Sequence, residues 1–251
     1  MVEPSAGRGA FYNLLPVKNR LGFDTDPKCE GIKKQNFFAW KCELPKAKNK
    51  IIFIGNPPFG VRGKIALEFI KRSFNFGDTV AYILPLTFRK FLTQKRLPFT
   101  ARLIHATPLP ANSFLLENGR DYKAKTEFQI WTLCNKKFKN KRLISKPPIT
   151  HSDFKLHQYN GTKTQLKMFD FDFDFAVPCQ GYQDYKRRET NAENCEKNKQ
   201  WMLIKAHNNK IYARLYKLNF DALANVNSTV SPGFRKHDLV RFYTEIYETP
   251  K

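Results

Sequence analysis

Ile51-Ile52-Phe53-Ile54-Gly55-Asn56-Pro57-Pro58-Phe59-Gly60 is an apolar run that halts at a rigid turn. A run of this length, rich in isoleucine and bounded by glycine and proline, reads as a buried strand. Its two prolines remove backbone donors and fix φ, so Asn56 and the nearby carbonyls are held as acceptors pointing out of the sheet edge. Directly after the turn, Ala66, Leu67, Phe69, Ile70 and Phe74 fall at helical spacing and predict a crossover helix with one buried face. Strand, turn and amphipathic helix in that order predict a parallel sheet covered by helices, hence an α/β fold.

The same alternation extends in both directions. Val2-Glu3, Leu21 to Asp24, Asn36 to Trp40, Ile51 to Ile54, Thr79 to Leu84, Leu103 to Thr107 and Glu127 to Leu133 are the strand candidates. The charged run Asn135-Lys136-Lys137-Phe138-Lys139-Asn140-Lys141-Arg142 and Pro147-Pro148 interrupt the pattern. The expected organisation is therefore a catalytic-size domain over 1–135, a basic linker over 136–150 and a small α+β domain over 151–251. In the last of these, Phe169 to Phe175 alternates Phe and Asp with period 2, as a sheet edge does. Trp201 to Ala206 and Lys210 to Leu215 look strand-like, and Lys236-His237-Asp238-Leu239-Val240 opens a final helix.

Two further constellations precede the proline turn. Val2-Glu3-Pro4-Ser5-Ala6-Gly7-Arg8-Gly9-Ala10-Phe11 reads as a strand end, a glycine turn and a helix start, where backbone can approach a ligand closely. Gly22-Phe23-Asp24-Thr25-Asp26-Pro27 places Asp24 at the end of the second strand, about one βαβ unit later. An acid there accepts hydrogen bonds from ribose hydroxyls in nucleotide-type folds. An Asp-rich turn closed by Pro27 accounts for Asp26 better than for Asp24.

Taken in order, these three features resemble the Rossmann-like amino-methyltransferases, in particular the adenine-N6 enzymes with an Asn-Pro-Pro-Phe/Tyr signature. The resemblance covers roughly the first half of the chain and implies a seven-stranded sheet and S-adenosylmethionine as cofactor. It implies that Glu3, Pro4 and Gly7 belong to the methionine-side turn and Asp24 to the ribose contact. Glu43 is the acid nearest the position expected beside the cofactor's adenine, and Asn56 also borders the cofactor. Asn56, Pro57 and Pro58 would form the acceptor turn for the target amino group, with Phe59 stacked on the extruded base. A softer similarity to phage and bacterial adenine methyltransferases runs through Arg102-Leu103-Ile104-His105, Phe114 and Phe128-Gln129-Ile130-Trp131. The segment Gly181 to Arg188, basic and polar, is similar to that group's tail and is expected either to recognise the target or to pack as a plain subdomain. No counterpart of the helix that commonly caps the pocket precedes the first strand, so a partner chain completing it is one expectation.

Composition selects the partner. Forty-four Lys and Arg against 22 Asp and Glu leave a net charge of +22, which fits a partner made of phosphates. Ribosomal proteins and binders of anionic membranes share that charge, so it bears on the partner class and not on the activity. With 41% hydrophobic residues the chain is too apolar for disorder, and charges interrupt it too often for a membrane span. Five cysteines, Cys29, Cys42, Cys134, Cys179 and Cys195, form no close pair, and an odd count fits a reducing compartment. No signal segment is visible, so an intracellular location is expected, cytoplasmic or, in a eukaryote, nuclear.

Two decoys are set aside. Pro178-Cys179 imitates the nucleophile of cytosine-C5 methyltransferases, but it lies beyond the seventh strand rather than after the fourth. His105, His151, His157, His207 and His237 show no ligand spacing with the cysteines, so no metal is expected. The leading expectation is N6-methylation of adenine in DNA. The alternatives are an RNA adenine-N6 or guanine-N2 methyltransferase, and a catalytically inactive nucleic-acid-binding accessory subunit.

Overall fold

A computed structural model describes residues 1–41, 51–110, 113–114, 119–120, 124–133, 138–161, 170–226 and 231–248. The chain divides into two compact units, Met1–Ser145 and Lys146–Lys251. Among the described residues no helix is long and apolar enough to cross a membrane.

The first unit is α/β. Its strands are β1 (Val2–Glu3), β2 (Leu21–Asp24), β3 (Lys33–Lys34), β4 (Ile52–Gly55), β5 (Thr79–Pro85), β6 (Arg102–Pro108) and β7 (Thr126–Thr132). They form one seven-stranded mixed sheet in the order β3-β2-β1-β4-β5-β7-β6. β1 pairs in parallel with β2 and β4, as β2 does with β3 and β4 with β5, whereas β7 runs antiparallel to both β5 and β6. The chain thus winds outward from β1 to β3 and returns to β4 on the other side of β1. Open α/β sheets bind ligands outside the carboxyl ends of their strands at such a reversal.

Helix α1 (Lys64–Phe74) covers one sheet face, burying Ala66, Leu67, Phe69, Ile70 and Phe74 in a cluster with Phe53, Val80, Tyr82, Leu84, Leu103 and Trp131. Each large side chain removed from water there stabilises the unit by roughly 1.5–3 kcal/mol. Inside this layer the Tyr82 hydroxyl meets Ser73 Oγ at 2.7 Å, and Ser73 in turn bonds the Phe69 carbonyl at 2.8 Å, tying strand to helix. Burial pushes the Tyr82 phenol far above its usual range. A second helix, α2 (Phe91–Gln94), is a single turn.

Two local expectations are corrected here. The third strand is Lys33–Lys34, and Asn36 to Trp40 contains a 3-10 turn at Phe37–Ala39. The Asn36 side chain caps that turn by accepting the Phe38 N–H at 2.9 Å. Phe37 and Trp40 are both buried in the same cluster with ring centroids 6.1 Å apart. Three residues per turn bring positions i and i+3 to one side, whereas a strand would send them to opposite faces. The glycine turn after β1 likewise leads into turns and a 3-10 segment at Tyr12–Leu14, not a full helix start. Pro16 forces Leu15 out of helical conformation (ψ 148°), and the Tyr12 hydroxyl is tethered to the Gly31 carbonyl at 3.0 Å.

Part of the charged run after β7 belongs to the first unit. Lys141 N–H bonds the Leu103 carbonyl at 2.7 Å. The Arg142 guanidinium donates to the carbonyls of Gln94, Leu97, Pro98, Phe99 and Ala101 at 2.5–3.2 Å. Residues 135–137, within the same run, lie outside the described residues.

In the second unit, β8 (Phe154–Tyr159), β9 (Phe175–Pro178) and β10 (Trp201–Ala206) make an antiparallel sheet in the order β8-β10-β9. Helices α3 (Asn209–Tyr216), α4 (Phe220–Val226) and α5 (Lys236–Tyr247) complete it, the last starting where the sequence places it. Lys210 to Leu215 is helical instead of strand-like. Asn208 Oδ1 caps it through the Ile211 N–H at 3.0 Å, and Ile211 and Leu215, four apart, both point into the core. Of the Phe/Asp alternation only Phe175 enters a strand. Asp172 and Asp174 instead hold Lys205 at 3.1 and 2.9 Å, Asp174 also accepts the Ala206 N–H, and Phe169 lies outside the described residues.

Candidate active site

The ends of β1, β2 and β4 lie side by side and carry Glu3, Asp24 and Asn56. Asp24 is held by two backbone donors: its Oδ2 accepts the Gly7 N–H at 2.7 Å and its Oδ1 the Asp26 N–H at 2.9 Å. The first bond clips the glycine turn to the end of β2. Gly7 has φ +49°, and the space its missing Cβ would occupy is open to 4 Å. Gly9, at φ +79°, is confined instead: a Cβ there would lie 2.9 Å from Asn13 Nδ2 and 3.0 Å from Cys29 Sγ. Sequence reasoning thus singled out a turn that the structure joins to Asp24, with an open position at Gly7 and a closed one at Gly9.

Glu3 is 2% exposed, and Pro4 beside it is buried. Burial pushes the Glu3 carboxyl up to about 7, the Asp24 charge adds to the rise, and the backbone N–H groups of Tyr12 and Phe11 oppose it. Gly55 makes the approach of β4 to this carboxyl feasible, since a Cβ there would sit 3.1 Å from Glu3 Cγ. The next residue is Asn56. Pro57 is buried, Pro58 exposed and Phe59 half-buried, its ring edge-on to Phe114 with centroids 6.4 Å apart. The Phe59 carbonyl accepts the N–H groups of Ile65 and Ala66 at 3.1 and 3.3 Å, so the turn is anchored to the first turn of α1.

Orphaned polar atoms mark this edge. Among the described residues of the first unit, the buried side-chain atoms without a hydrogen-bond partner are Glu3 Oε2, Asn56 Oδ1, Arg72 Nε, Thr87 Oγ1 and Thr126 Oγ1. All but Arg72 lie at the carboxyl ends of the parallel strands, because Thr87 follows β5 and Thr126 starts β7 opposite Pro85. Burying such a group unpaired costs about 1–3 kcal/mol, so natural proteins keep few of them. Four such atoms at one sheet edge are open to hydrogen bonds from a bound molecule or solvent. The sequence pointed to Glu3 and Asn56 but gave no sign of Thr87 or Thr126, whose hydroxyls are ordinary in sequence and exceptional only in what surrounds them.

A second feature that sequence reasoning missed is a polar column on β7. Trp131 Nε1 donates to Gln129 Oε1 at 2.7 Å, Gln129 Nε2 bonds Glu127, and Glu127 pairs with Arg89 Nε at 2.6 Å. Glu127, Gln129 and Trp131 are at most 2% exposed. Their i, i+2 spacing puts them on one face, and the column fastens the segment after β5 to β7. The sequence signal was there, three hydrogen-bonding side chains alternating with Phe128 and Ile130.

Glu43 lies outside the described residues. Cys179 is fully buried in the second unit, and burial pushes its thiol up to about 12, so thiolate chemistry at Pro178-Cys179 is disfavoured. Among the described residues His151, Asp153 and Glu248 are grouped as metal ligands would be. However, His151 Nδ1 accepts the Asp153 N–H at 3.1 Å, which leaves the ring proton on Nε2, 3.3 Å from Glu248 Oε1. That nitrogen has no lone pair to give a metal, and the trio reads as a hydrogen-bonded chain. Arg187 and Arg188 of the tail are also engaged within the second unit, Arg187 by Glu189 and Glu196 and Arg188 by the carbonyls of Tyr185 and Leu218.

Comparison with known proteins finds no matching family model and no matching curated protein. The functional reading therefore rests on the residues and geometry described above.

Proposed function

We propose that the first unit is an S-adenosylmethionine-dependent methyltransferase acting on the N6 amino group of adenine in nucleic acid, with DNA as the preferred substrate. The observation that carries this reading is the unpartnered, buried Asn56 Oδ1 in an Asn-Pro-Pro-Phe turn whose two prolines lack N–H groups, close to Glu3, whose Oε2 is also unpartnered. The seven-stranded sheet is of the size the resemblance implies, and a methyltransferase sheet is the finer assignment we make for it.

The residues present fit the cofactor. Asp24, fixed by two N–H donors, keeps acceptor capacity for ribose hydroxyls. Gly7 leaves open space beside it, and Pro4 keeps β1 from continuing into that space. Glu3, half-ionised near neutral pH when alone, would become fully ionised beside a positively charged group. When bound, S-adenosylmethionine supplies an electrophilic sulfonium methyl group.

An amino group conjugated with a purine is a poor nucleophile. Asn56 Oδ1 and the Pro57 carbonyl would accept hydrogen bonds from its two N–H groups, draw the nitrogen toward tetrahedral geometry and raise its lone-pair density for in-line attack on the methyl carbon; the N–C bond would form as the S–C bond breaks, and the methylated nitrogen would then lose one proton to solvent. Because Pro57 and Pro58 bring no N–H of their own, neither acceptor is consumed by a local turn. Phe59 would stack on the base, which must leave a duplex to reach the site; stacking worth about 1–3 kcal/mol offsets part of that cost.

The test is incubation of the chain with S-adenosylmethionine and an adenine-containing DNA duplex, an RNA of equal length, or buffer alone, followed by nucleoside analysis. N6-methyladenine in DNA that disappears with Asn56→Ala supports the reading. Product only in RNA moves the substrate, and binding of nucleic acid without product in either leaves an accessory subunit as the better description.

A further inference from the structure

The net charge of +22 is unevenly divided. Residues 1–145 hold 27 Lys and Arg against 10 Asp and Glu, a formal +17, whereas residues 146–251 hold 17 against 12, a formal +5. The second unit also neutralises its cations locally, pairing Arg187, Lys199, Lys205 and Arg241 with Glu189, Glu196, Asp172, Asp174 and Glu245. In the first unit Lys28, Lys71 and Arg89 stand in ion pairs, whereas Arg62, Lys64, Lys90 and Lys125 enter none of those among the described residues.

We infer that the DNA backbone is held by the first unit, on the loops around the Asn56 turn, with Arg62, Lys64, Lys90 and Lys125 as phosphate contacts. All four are exposed. Arg62 and Lys64 directly follow the Asn-Pro-Pro-Phe turn, and Lys90 lies beyond the end of β5. Lys125 is fastened to that same end, its carbonyl accepting the Leu86 N–H at 3.3 Å. All four therefore surround the edge where Asn56, Thr87 and Thr126 keep unpaired atoms.

Arg62 strengthens the assignment. It is the non-glycine residue with positive φ among those described (φ 54°, ψ 28°), between Gly60 and Gly63, which are also left-handed. An L-residue in that conformation costs about 1–2 kcal/mol that glycine would avoid. Lys64 opens α1 with no acid in the first turn and no side-chain cap, so nothing on the helix itself offsets its positive end.

The inference takes its partner from the methyltransferase reading, yet the test separates the two. Binding of a fluorescent 20-base-pair duplex is measured by anisotropy from 0.05 to 0.3 M salt without cofactor. The chain is compared with a first-unit variant (Arg62→Gln, Lys64→Gln, Lys90→Gln, Lys125→Gln) and a second-unit variant losing equal charge (Lys186→Gln, Lys197→Gln, Lys210→Gln, Lys217→Gln). Each phosphate contact contributes about 0.9 to the slope of log affinity against log salt. The first-unit variant is expected to lower that slope by about 3 to 4, and the second-unit variant by less than about 1. The single Arg62→Gly, which relaxes the backbone and guards against a folding defect, is expected to lower it by about 0.9. Equal losses in the two quadruple variants, a larger loss in the second-unit one, or preference for single-stranded RNA of the same length would overturn the inference. A chain that shows the expected slopes but never methylates overturns the catalytic reading alone.

Discussion

Glu3→Gln is expected to stabilise the chain in a pH-dependent way. The carboxyl is 2% exposed and is pushed from its usual 4.5 up to about 7, chiefly by burial. Below pH 4.5 it is neutral folded and unfolded alike, and burial then costs nothing through ionisation. As pH rises from 4.5 to 7 the unfolded chain loses this proton while the folded chain retains it, so stability falls, and above 7 the loss is complete. The full separation is worth about 3 kcal/mol, of which about 2.5 is expressed between pH 5 and pH 8. Urea unfolding of both chains at pH 5, 6, 7 and 8, followed by tryptophan fluorescence, isolates the effect, because every other titrating group is shared. The variant's advantage is expected to grow by about 2.5 kcal/mol across that range. Adding S-adenosylmethionine at pH 8 is expected to shrink it by stabilising the ionised carboxyl. Parallel stability curves, within about 0.5 kcal/mol, would refute the argument that burial outweighs the hydrogen bonds Glu3 receives and holds its carboxyl protonated.

Further outcomes follow from the same geometry. Asn56→Ala is expected to lower methyl transfer at least about 100-fold, the scale seen when a positioned polar group is removed, with DNA affinity and its salt slope retained. Thr87→Val, which deletes a buried hydroxyl without a partner, is expected to raise stability by about 1 kcal/mol in thermal unfolding while weakening catalysis. Gly9→Ala meets both a left-handed backbone and contacts at 2.9 and 3.0 Å, and should destabilise the chain by about 1–3 kcal/mol and weaken cofactor binding in calorimetry. Arg142→Met strips the donors from five carbonyls and should cost about 3 kcal/mol or more in urea unfolding, with Arg142→Lys a poor rescue because one ammonium cannot reproduce the guanidinium fork.

Sequence alone determined the α/β class, the strand at Ile52–Gly55, the helix at Lys64–Phe74 and the turn that follows the strand, because each is encoded by side chains only a few positions apart. Periodicity needs several residues to register. It therefore located β5, β6 and β7 within a residue or two but passed over the two-residue β3 and took the aromatic Asn36 to Trp40 segment for a strand. Glu3, Asp24 and Asn56 were legible as candidates from their places at strand ends, yet their residue types say nothing about whether they are partnered. That was settled by tertiary structure, since an atom is orphaned only relative to every distant segment folded around it. The Gly7 bond to Asp24, the approach of Gly55 to Glu3, the unpaired hydroxyls of Thr87 and Thr126 and the local pairing of charge in the second unit are all of this kind. They depend on which parts of the chain the sheet brings within a few ångströms, and local sequence carries no record of that distance.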